Sequence, residues 1–189
     1  MMNKRGFTLV ELLVTVSVLL IAVGIAGDLI ISVIRSYNKT RILQEIEQNG
    51  NYTIAKITHD FKNAIGATAP TDCSSGASPQ ITISDSDNED ITYSIETRNG
   101  SGGACSSGTC TTVMTRTYGS NAEEIMTNYD LRDGVDLAES AGFCTVSDDP
   151  LTVKIELTLT NGPDSLNSNS KSLQARTSFD TIVQLRGVN

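Results

Sequence analysis

Histidine is almost absent from this chain of 189 residues, which holds only His59. A zinc site needs closely spaced cysteine pairs or histidine partners, and the spacing of Cys105 and Cys110 supplies neither. On a predicted helix His59 is adjacent to Asp60, and adjacent helical side chains do not face each other, so we expect no acid–base pair. The stretch NGSGGA (residues 99–104) leads into a cysteine rather than a helix, which excludes the usual phosphate-binding loop. The sequence therefore predicts no enzyme, no cofactor and no metal site.

Positive charge is also scarce. The chain has 14 Lys and Arg against 22 Asp and Glu, which gives a formal net charge of −8. Proteins that bind nucleic acid through its phosphates present clustered Lys and Arg side chains. We therefore expect no nucleic-acid partner, unless a local patch forms around Arg98, Arg116 or Arg132.

Charged side chains are missing altogether between Leu12 and Gly27, where most residues are Leu, Val, Ile or Ala. The 21 residues from Phe7 to Gly27 would form a helix about 31 Å long, which matches the hydrocarbon core of a bilayer. Lys4 and Arg5 precede this run and the next positive charge is Arg35, so the positive-inside rule places the N-terminus in the cytoplasm. We expect a single-pass membrane protein whose remaining residues are extracytoplasmic.

The apolar pattern continues beyond Asp28 as LIISVI (residues 29–34). A secretion signal that is removed should end in a small-x-small site followed by an ordinary mature domain. The continuing pattern instead indicates a membrane segment that is retained. We expect Asp28 to mark the outer end of the span, where an acidic side chain reaches the lipid headgroups. The alternative is that Asp28 makes a contact specific to a partner.

Glu11 is the one charged residue near the start of the apolar run, and a carboxylate inside the membrane costs about 2.5–3.5 kcal/mol without a partner. The surrounding RGFTLVE (residues 5–11) resembles the prepilin signature of the type IV pilin superfamily: a short basic leader ending in Gly, with Glu at the fifth place after it. The resemblance implies that a prepilin peptidase removes the leader, residues 1–6, by cutting between Gly6 and Phe7, and methylates the new amino group. It also implies that Glu11 neutralises the N-terminus of a neighbouring subunit in a filament.

The four cysteines all lie on the predicted outer side of the membrane, where an even number favours disulfides. Three pairings are open. We favour Cys105 with Cys110, closing the loop CSSGTC, and Cys73 with Cys144, tying the connection after the helix to a later loop.

Beyond Arg35 the chain is predicted to continue as an amphipathic helix, with Gly66 and Pro70 as a stop signal. Its apolar residues recur at helical spacing on one stripe, and NGN at residues 49–51 is a candidate kink. A single helix is therefore expected from Phe7 to about Ile65, with residues 7–34 in the membrane and residues 35–66 packed on a sheet. The stripe consists of Ile42, Ile46, Ile54, Ile57, Phe61 and Ile65.

Residues 67–189 change to the period-two pattern of strands. QITIS and ITYSIET flank the acidic stretch DSDNED and predict a hairpin, while LTVKIELTLT predicts a strand with Val153, Ile155, Leu157 and Leu159 on one face. We expect an α+β fold of the pilin type, with a long N-terminal helix packed on an antiparallel meander of four or five strands. Asp85, Asp87 and Glu89 invite a calcium-loop interpretation, but Asp90 stands where such a loop requires Gly, so an acidic hairpin turn is favoured.

Within the superfamily the chain is similar to the minor pseudopilin J of type II secretion and to PilW-like minor pilins. The resemblance lies in ITHDFKNA (residues 57–64), ITYSIET, TVMTRTY and the C-terminal TIVQLRG. It implies a low-abundance subunit at the tip or in the initiating complex of a pilus or pseudopilus. Its expected partners are other pilin or pseudopilin subunits, the prepilin peptidase and the inner membrane. A major pilin of the filament body and a ligand-binding tip adhesin are the alternatives.

Overall fold

A computed structural model gives the fold of the protein, and it divides into two compact units, Met1–Thr40 and Arg41–Asn189. The residues that the structure describes are 8–68, 70–105, 108–130, 134–138, 140–162 and 175–185.

A single helix, α1, runs from Leu9 to Asn63 and confirms the long N-terminal helix. It ends two residues before the predicted Ile65, because the Ile65 N–H already donates to the Ser84 carbonyl at 2.9 Å and the next residue begins a strand. The Asn–Gly–Asn stretch does not break α1. Its Asn49 side chain donates back to the Glu45 carbonyl at 2.8 Å, and Gly50 is buried.

The first sheet has five antiparallel strands in the order β1-β2-β3-β4-β5. The predicted hairpin is confirmed: β2 pairs with β3 so that Ile83 lies opposite Ile91, and the acidic residues form the turn between them. Asn88 takes a left-handed φ of 65° in that turn, a conformation that Asn tolerates better than most residues. The strands are β1 (Gly66–Ala67), β2 (Gln80–Ser84), β3 (Asp90–Arg98), β4 (Thr111–Tyr118) and β5 (Glu124–Ile125).

The second sheet is built around a long central strand, β8 (Leu151–Asn161). One edge of β8 pairs with β9 (Arg176–Gln184), and the other pairs with β7 (Gly142–Asp148) and β6 (Val135–Leu137). The predicted apolar face of β8 is confirmed, since Val153, Ile155, Leu157 and Leu159 are all buried.

The α+β class is confirmed, but the single meander of four or five strands is wrong: the described residues form nine strands in two sheets. Strands β6 and β7 escape a pattern search because β6 has three residues and a bulge between Thr145 and Ser147 breaks the alternation in β7. Reciprocal backbone hydrogen bonds of 2.7 and 2.9 Å between Ser78 and Phe143 link the chain just before β2 to β7.

One apolar core joins the C-terminal half of α1 to both sheets. From the helix, Ile46, Ile57 and Phe61 are fully buried, as the predicted stripe requires. Ile65 is 42% exposed because it follows the end of the helix. The amphipathic stripe is thus the contact between helix and sheets.

Candidate functional site

The start of α1 carries the residues that the prepilin resemblance singles out. Gly6 and Phe7 lie outside the described residues. Thr8 is the N-cap of α1: its Oγ1 accepts a 3.3 Å hydrogen bond from the N–H of Glu11, and its carbonyl accepts from Leu12 N–H at 3.2 Å. Thr-Leu-Val-Glu therefore starts the helix in the pattern of a capping box, with Glu11 in the first turn. This role of Thr8 was not predicted, although the Thr-x-x-Glu spacing is the signal for it.

The Glu11 carboxylate accepts no hydrogen bond and forms no ion pair with the residues that the structure describes. Other polar side chains of the same segment are satisfied within the helix: Thr15 Oγ1 donates to the Leu12 carbonyl at 2.9 Å and Ser17 Oγ to the Leu13 carbonyl at 2.8 Å. Glu11, like Asp28, has no such partner among the described residues. Because a lone carboxylate is costly in an apolar environment, its charge calls for a cation beyond the described residues.

The first unit exposes the apolar side chains of α1 all round. From Leu9 to Ile34 its large hydrophobic residues are about half to four-fifths exposed, with Leu9 at 81%. In the described part of the chain, α1 is the one helix long and apolar enough to cross a membrane; its best 18-residue window has a mean hydropathy of 2.6. A surface of this kind needs lipid or other apolar helices around it.

The four cysteines form two disulfides, and their pairing is the one favoured from the sequence. Cys73, in a short 3₁₀-helix at Cys73–Ser75, is joined to Cys144 of β7, with 4.8 Å between their Cα atoms. Cys105 is joined to Cys110 in the loop between β3 and β4, with a Cα separation of 5.9 Å. The first disulfide links the connection after α1 to the second sheet, and the second closes one short loop.

A buried polar cluster lies where the last turns of α1 meet the first sheet. Asp60, only 6% exposed, accepts hydrogen bonds at Oδ2 from the Tyr93 hydroxyl at 2.6 Å and from Arg116 Nε at 2.9 Å. Arg116 also lies 3.7 Å from Glu124 and stacks over the Tyr118 ring at 5.6 Å. No local pattern in the sequence indicates this cluster, because its residues are far apart in the chain. Its members come from ITHDFKNA, ITYSIET and TVMTRTY, three of the stretches that carry the minor-subunit resemblance.

Burial and hydrogen bonding act in opposite directions on the pKa of Asp60. Burial alone would raise it, but the hydrogen bonds from Tyr93, His59 and Arg116 together hold the pKa of this carboxyl below its usual value. Burial and the neighbouring carboxylate raise the pKa of Tyr93. Asp60 is therefore ionised and Tyr93 is a neutral donor at physiological pH.

The expectation that His59 and Asp60 do not meet is wrong. His59 Nδ1 lies 3.1 Å from Asp60 Oδ1, because the short Asp side chain turns back towards its neighbour while its second oxygen faces the sheet. The His59 side chain is 70% exposed, and it forms no triad with a nucleophile among the described residues. The exposed His59 side chain therefore adds a third hydrogen-bonding partner to Asp60, on the side that faces solvent.

The arginines considered as a basic patch are paired with acids. Arg98 bonds to Glu96 and Glu123, and Arg116 to Asp60. Arg132 lies outside the described residues. These ion pairs neutralise the positive charge locally, which gives a nucleic acid no cationic surface at Arg98 or Arg116.

Hydrogen bonds to the side chain of Asp85, the first residue of the acidic stretch, stabilise the hairpin turn. Asp85 Oδ1 accepts from the N–H groups of Asp87 and Glu89 at 2.9 and 3.1 Å, and Oδ2 accepts from the Tyr118 hydroxyl at 2.6 Å. This bond raises the pKa of Tyr118 to about 12. The Asp85 carboxylate therefore stabilises the turn. Within the described ranges, no group of three or more His, Cys, Asp or Glu residues is suited to hold a metal ion.

A second polar contact holds α1 against the chain after β5. Asn128 donates from its N–H to Asn49 Oδ1 at 2.9 Å and from Nδ2 to Glu45 Oε1 at 3.1 Å. An open cavity of about 290 Å³ lies beside it, lined by Glu45, Gln48, Asn49 and Tyr52 of α1. Glu45 and Asn49 already bond to each other and to Asn128, and the Tyr52 hydroxyl donates to Glu124, so three of the four lining residues are engaged within the protein.

Comparison with protein families adds one match: residues 1–27 fit the family described as the prokaryotic N-terminal methylation motif. The matched range includes Gly6, Phe7 and Glu11 and extends into α1. Comparisons with curated proteins and with solved structures found no match. The N-terminus is therefore a prepilin-type leader followed by an apolar helix suited to anchoring the chain in a membrane.

Proposed function

We propose that the protein is a structural subunit of the type IV pilin superfamily, processed by a prepilin peptidase and assembled into a filament through its N-terminal helix. The observation that carries the proposal is the methylation motif at residues 1–27, which contains at Glu11 a carboxylate with no partner among the described residues. Processing at the methylation motif produces a new N-terminal ammonium, and this ammonium can pair with the Glu11 carboxylate, so one assembly mechanism accounts for both features.

In that mechanism the peptidase hydrolyses the Gly6–Phe7 peptide bond on the cytoplasmic side, and the amino group freed at Phe7 becomes a methylated ammonium. This cation lies one helical turn from Glu11 in sequence, and in the filament it pairs with Glu11 of the adjacent subunit. Opposite charges brought together at low dielectric attract far more strongly than in water. The exposed apolar side chains between Leu9 and Ile34 then pack against the equivalent helices of neighbouring subunits.

For the place of the subunit, we propose a minor pilin or pseudopilin at the tip or in the initiating complex. Support comes from the three stretches that resemble minor subunits and supply Asp60, Tyr93 and Arg116 to one buried cluster. The resemblance to the pilin superfamily adds that many major pilins have proline at the place of Asp28, and this departure also favours a minor role. A major pilin would dominate the mass of sheared filaments, whereas a minor subunit would be present there in trace amounts.

The experiment replaces Glu11 by Gln and, separately, by Ala, and follows processing and recovery in the filament fraction. Gln retains the capping-box capacity of Glu but loses the charge. If Glu11 serves as the charge partner, both variants are processed and both are lost from filaments. If Glu11 serves only to cap α1, Glu11→Gln assembles and the proposal fails. Thr8→Ala is the control, since it removes the cap hydrogen bond and keeps the carboxylate.

A further inference from the structure

The stretch directly after the apolar run is the most basic of the chain. Residues 35–41, RSYNKTR, contain three basic residues and no acid, although acids outnumber bases 22 to 14 overall. The nearest acids in sequence are Asp28 and Glu45. We give the name collar to Arg35, Tyr37 and Lys39, which all lie in the first unit on α1.

The collar residues are exposed and unpaired. Tyr37 is 70% exposed, and neither Arg35 nor Lys39 forms an ion pair with any residue in the described part of the chain. Arg98, Arg116 and Lys154, by contrast, each contact a carboxylate. Arg35 and Lys39 therefore keep charges that are available to an external anion.

Helix length puts the collar at the level of the membrane headgroups. From Leu9 to Arg35 there are 26 steps of α1, about 39 Å at ~1.5 Å per residue. A bilayer has a hydrocarbon core of about 30 Å and measures about 40–45 Å with its interfacial regions. With the start of α1 at one interface, Arg35 reaches the opposite headgroup layer, where tyrosine is also enriched.

We propose that the collar binds anionic phospholipid headgroups on the extracytoplasmic surface of the membrane and fixes the depth of the subunit before assembly. This rests on the proposed membrane-anchored function. Arg35 and Lys39 are four residues apart and share one side of the helix, so both reach neighbouring phosphates. The Arg35 guanidinium donates two parallel hydrogen bonds to phosphate oxygens, and the Lys39 ammonium adds a point charge.

The test uses the full chain in phosphatidylcholine vesicles. The chain has no tryptophan, so Tyr37→Trp gives a single fluorescent reporter inside the collar. Quenching by a minority of dibrominated phosphatidylglycerol is compared with quenching by the same fraction of dibrominated phosphatidylcholine. We expect stronger quenching by the anionic lipid, from an enrichment of about fivefold for each basic side chain, declining as salt is added.

In the same reporter background, Arg35→Gln with Lys39→Gln should abolish the excess quenching. Lys56→Gln with Lys62→Gln is the matched control, because it removes two positive charges from the same helix outside the collar and should leave the excess unchanged. Equal quenching by the two lipids would overturn the proposal and leave the membrane anchor intact. Equal quenching is the result expected if the collar instead contacts the acidic surface of another subunit. Quenching by neither lipid would overturn the membrane anchor and the collar together.

Discussion

The hydroxyl of Tyr93 donates a 2.6 Å hydrogen bond to the buried carboxylate of Asp60, 33 residues earlier in the chain. Arg116, 56 residues after Asp60, donates to the same oxygen. This carboxylate thereby joins α1 to β3 and β4 and fixes how the last turns of the helix lie on the first sheet. An ionised group at this depth is stable only while its donors stay in place.

Removing the charge of Asp60 should destabilise the protein strongly. Asp60→Asn leaves the mostly buried Arg116 without its closest and most buried ion-pair partner, and we expect a loss of about 3–5 kcal/mol in the free energy of unfolding. Urea unfolding followed by near-ultraviolet circular dichroism measures this loss. Glu124→Gln is the control: its carboxylate is 3.7 Å from Arg116 and 47% exposed, so its loss should stay below about 1 kcal/mol. Equal losses for the two variants would contradict the structural role of Asp60.

Asp60 and Asp136 should respond to acid in opposite directions. Because the pKa of Asp60 is lowered in the folded state, its stabilisation is present above the ordinary value of about 3.9 and is lost as the pH falls through the folded pKa. Burial instead raises the pKa of Asp136, despite the 2.6 Å bond from Thr112 N–H, so the ionised carboxyl costs stability at neutral pH.

Asp136→Asn should therefore increase the free energy of unfolding at pH 7, and this gain should shrink as the pH approaches about 4. Asp180→Asn, on the exposed side of β9, is the control and should change little. Unfolding curves between pH 3 and pH 7 provide the measurement. A gain that does not depend on pH would show that Asp136 is not the titrating group.

Gly50→Ala should destabilise the protein, although glycine within a helix usually costs about 1 kcal/mol relative to alanine. A Cβ at Gly50 would overlap the ring of Phe179, which packs directly on this part of α1. Thermal unfolding should show a lower Tm for Gly50→Ala, and an unchanged or higher Tm for Asn51→Ala, at the exposed neighbouring position. In a Phe179→Leu background the penalty should shrink. If Gly50→Ala lowered the Tm equally in the Phe179→Leu background, overlap with the Phe179 ring would not be the cause.

The two disulfides should differ in their contribution to stability. Cys73–Cys144 closes a loop with a sequence separation of 71, and Cys105–Cys110 one of 5. Loop-closure entropy predicts that replacing the first pair by Ser costs about 4 kcal/mol and the second about 2 kcal/mol. Urea unfolding of the two double variants tests the difference. A larger loss for the short loop would mean that chain entropy does not set the order.

Local patterns predicted much of this fold. The alternation in β8 identified its buried face, and the helical stripe identified Ile46, Ile57 and Phe61 as core residues. The prepilin signature is likewise a short contiguous pattern. What escaped prediction depends on contacts between distant residues: Asp60 meets Arg116 across 56 positions, and no local pattern shows that these two will pair. The strand β7 escaped because its bulge interrupts the period-two pattern.

The most direct test of the account is the N-terminal mass of the protein purified from cells with and without prepilin peptidase. We expect a chain that begins at N-methylated Phe7 when the peptidase is present, and a chain that still carries residues 1–6, with or without the initiator Met, when it is absent. A mature chain that begins near Asp28 in both strains would identify residues before it as an ordinary secretion signal. The mature protein would then lack Glu11 and the apolar helix, and the proposed assembly mechanism would be wrong.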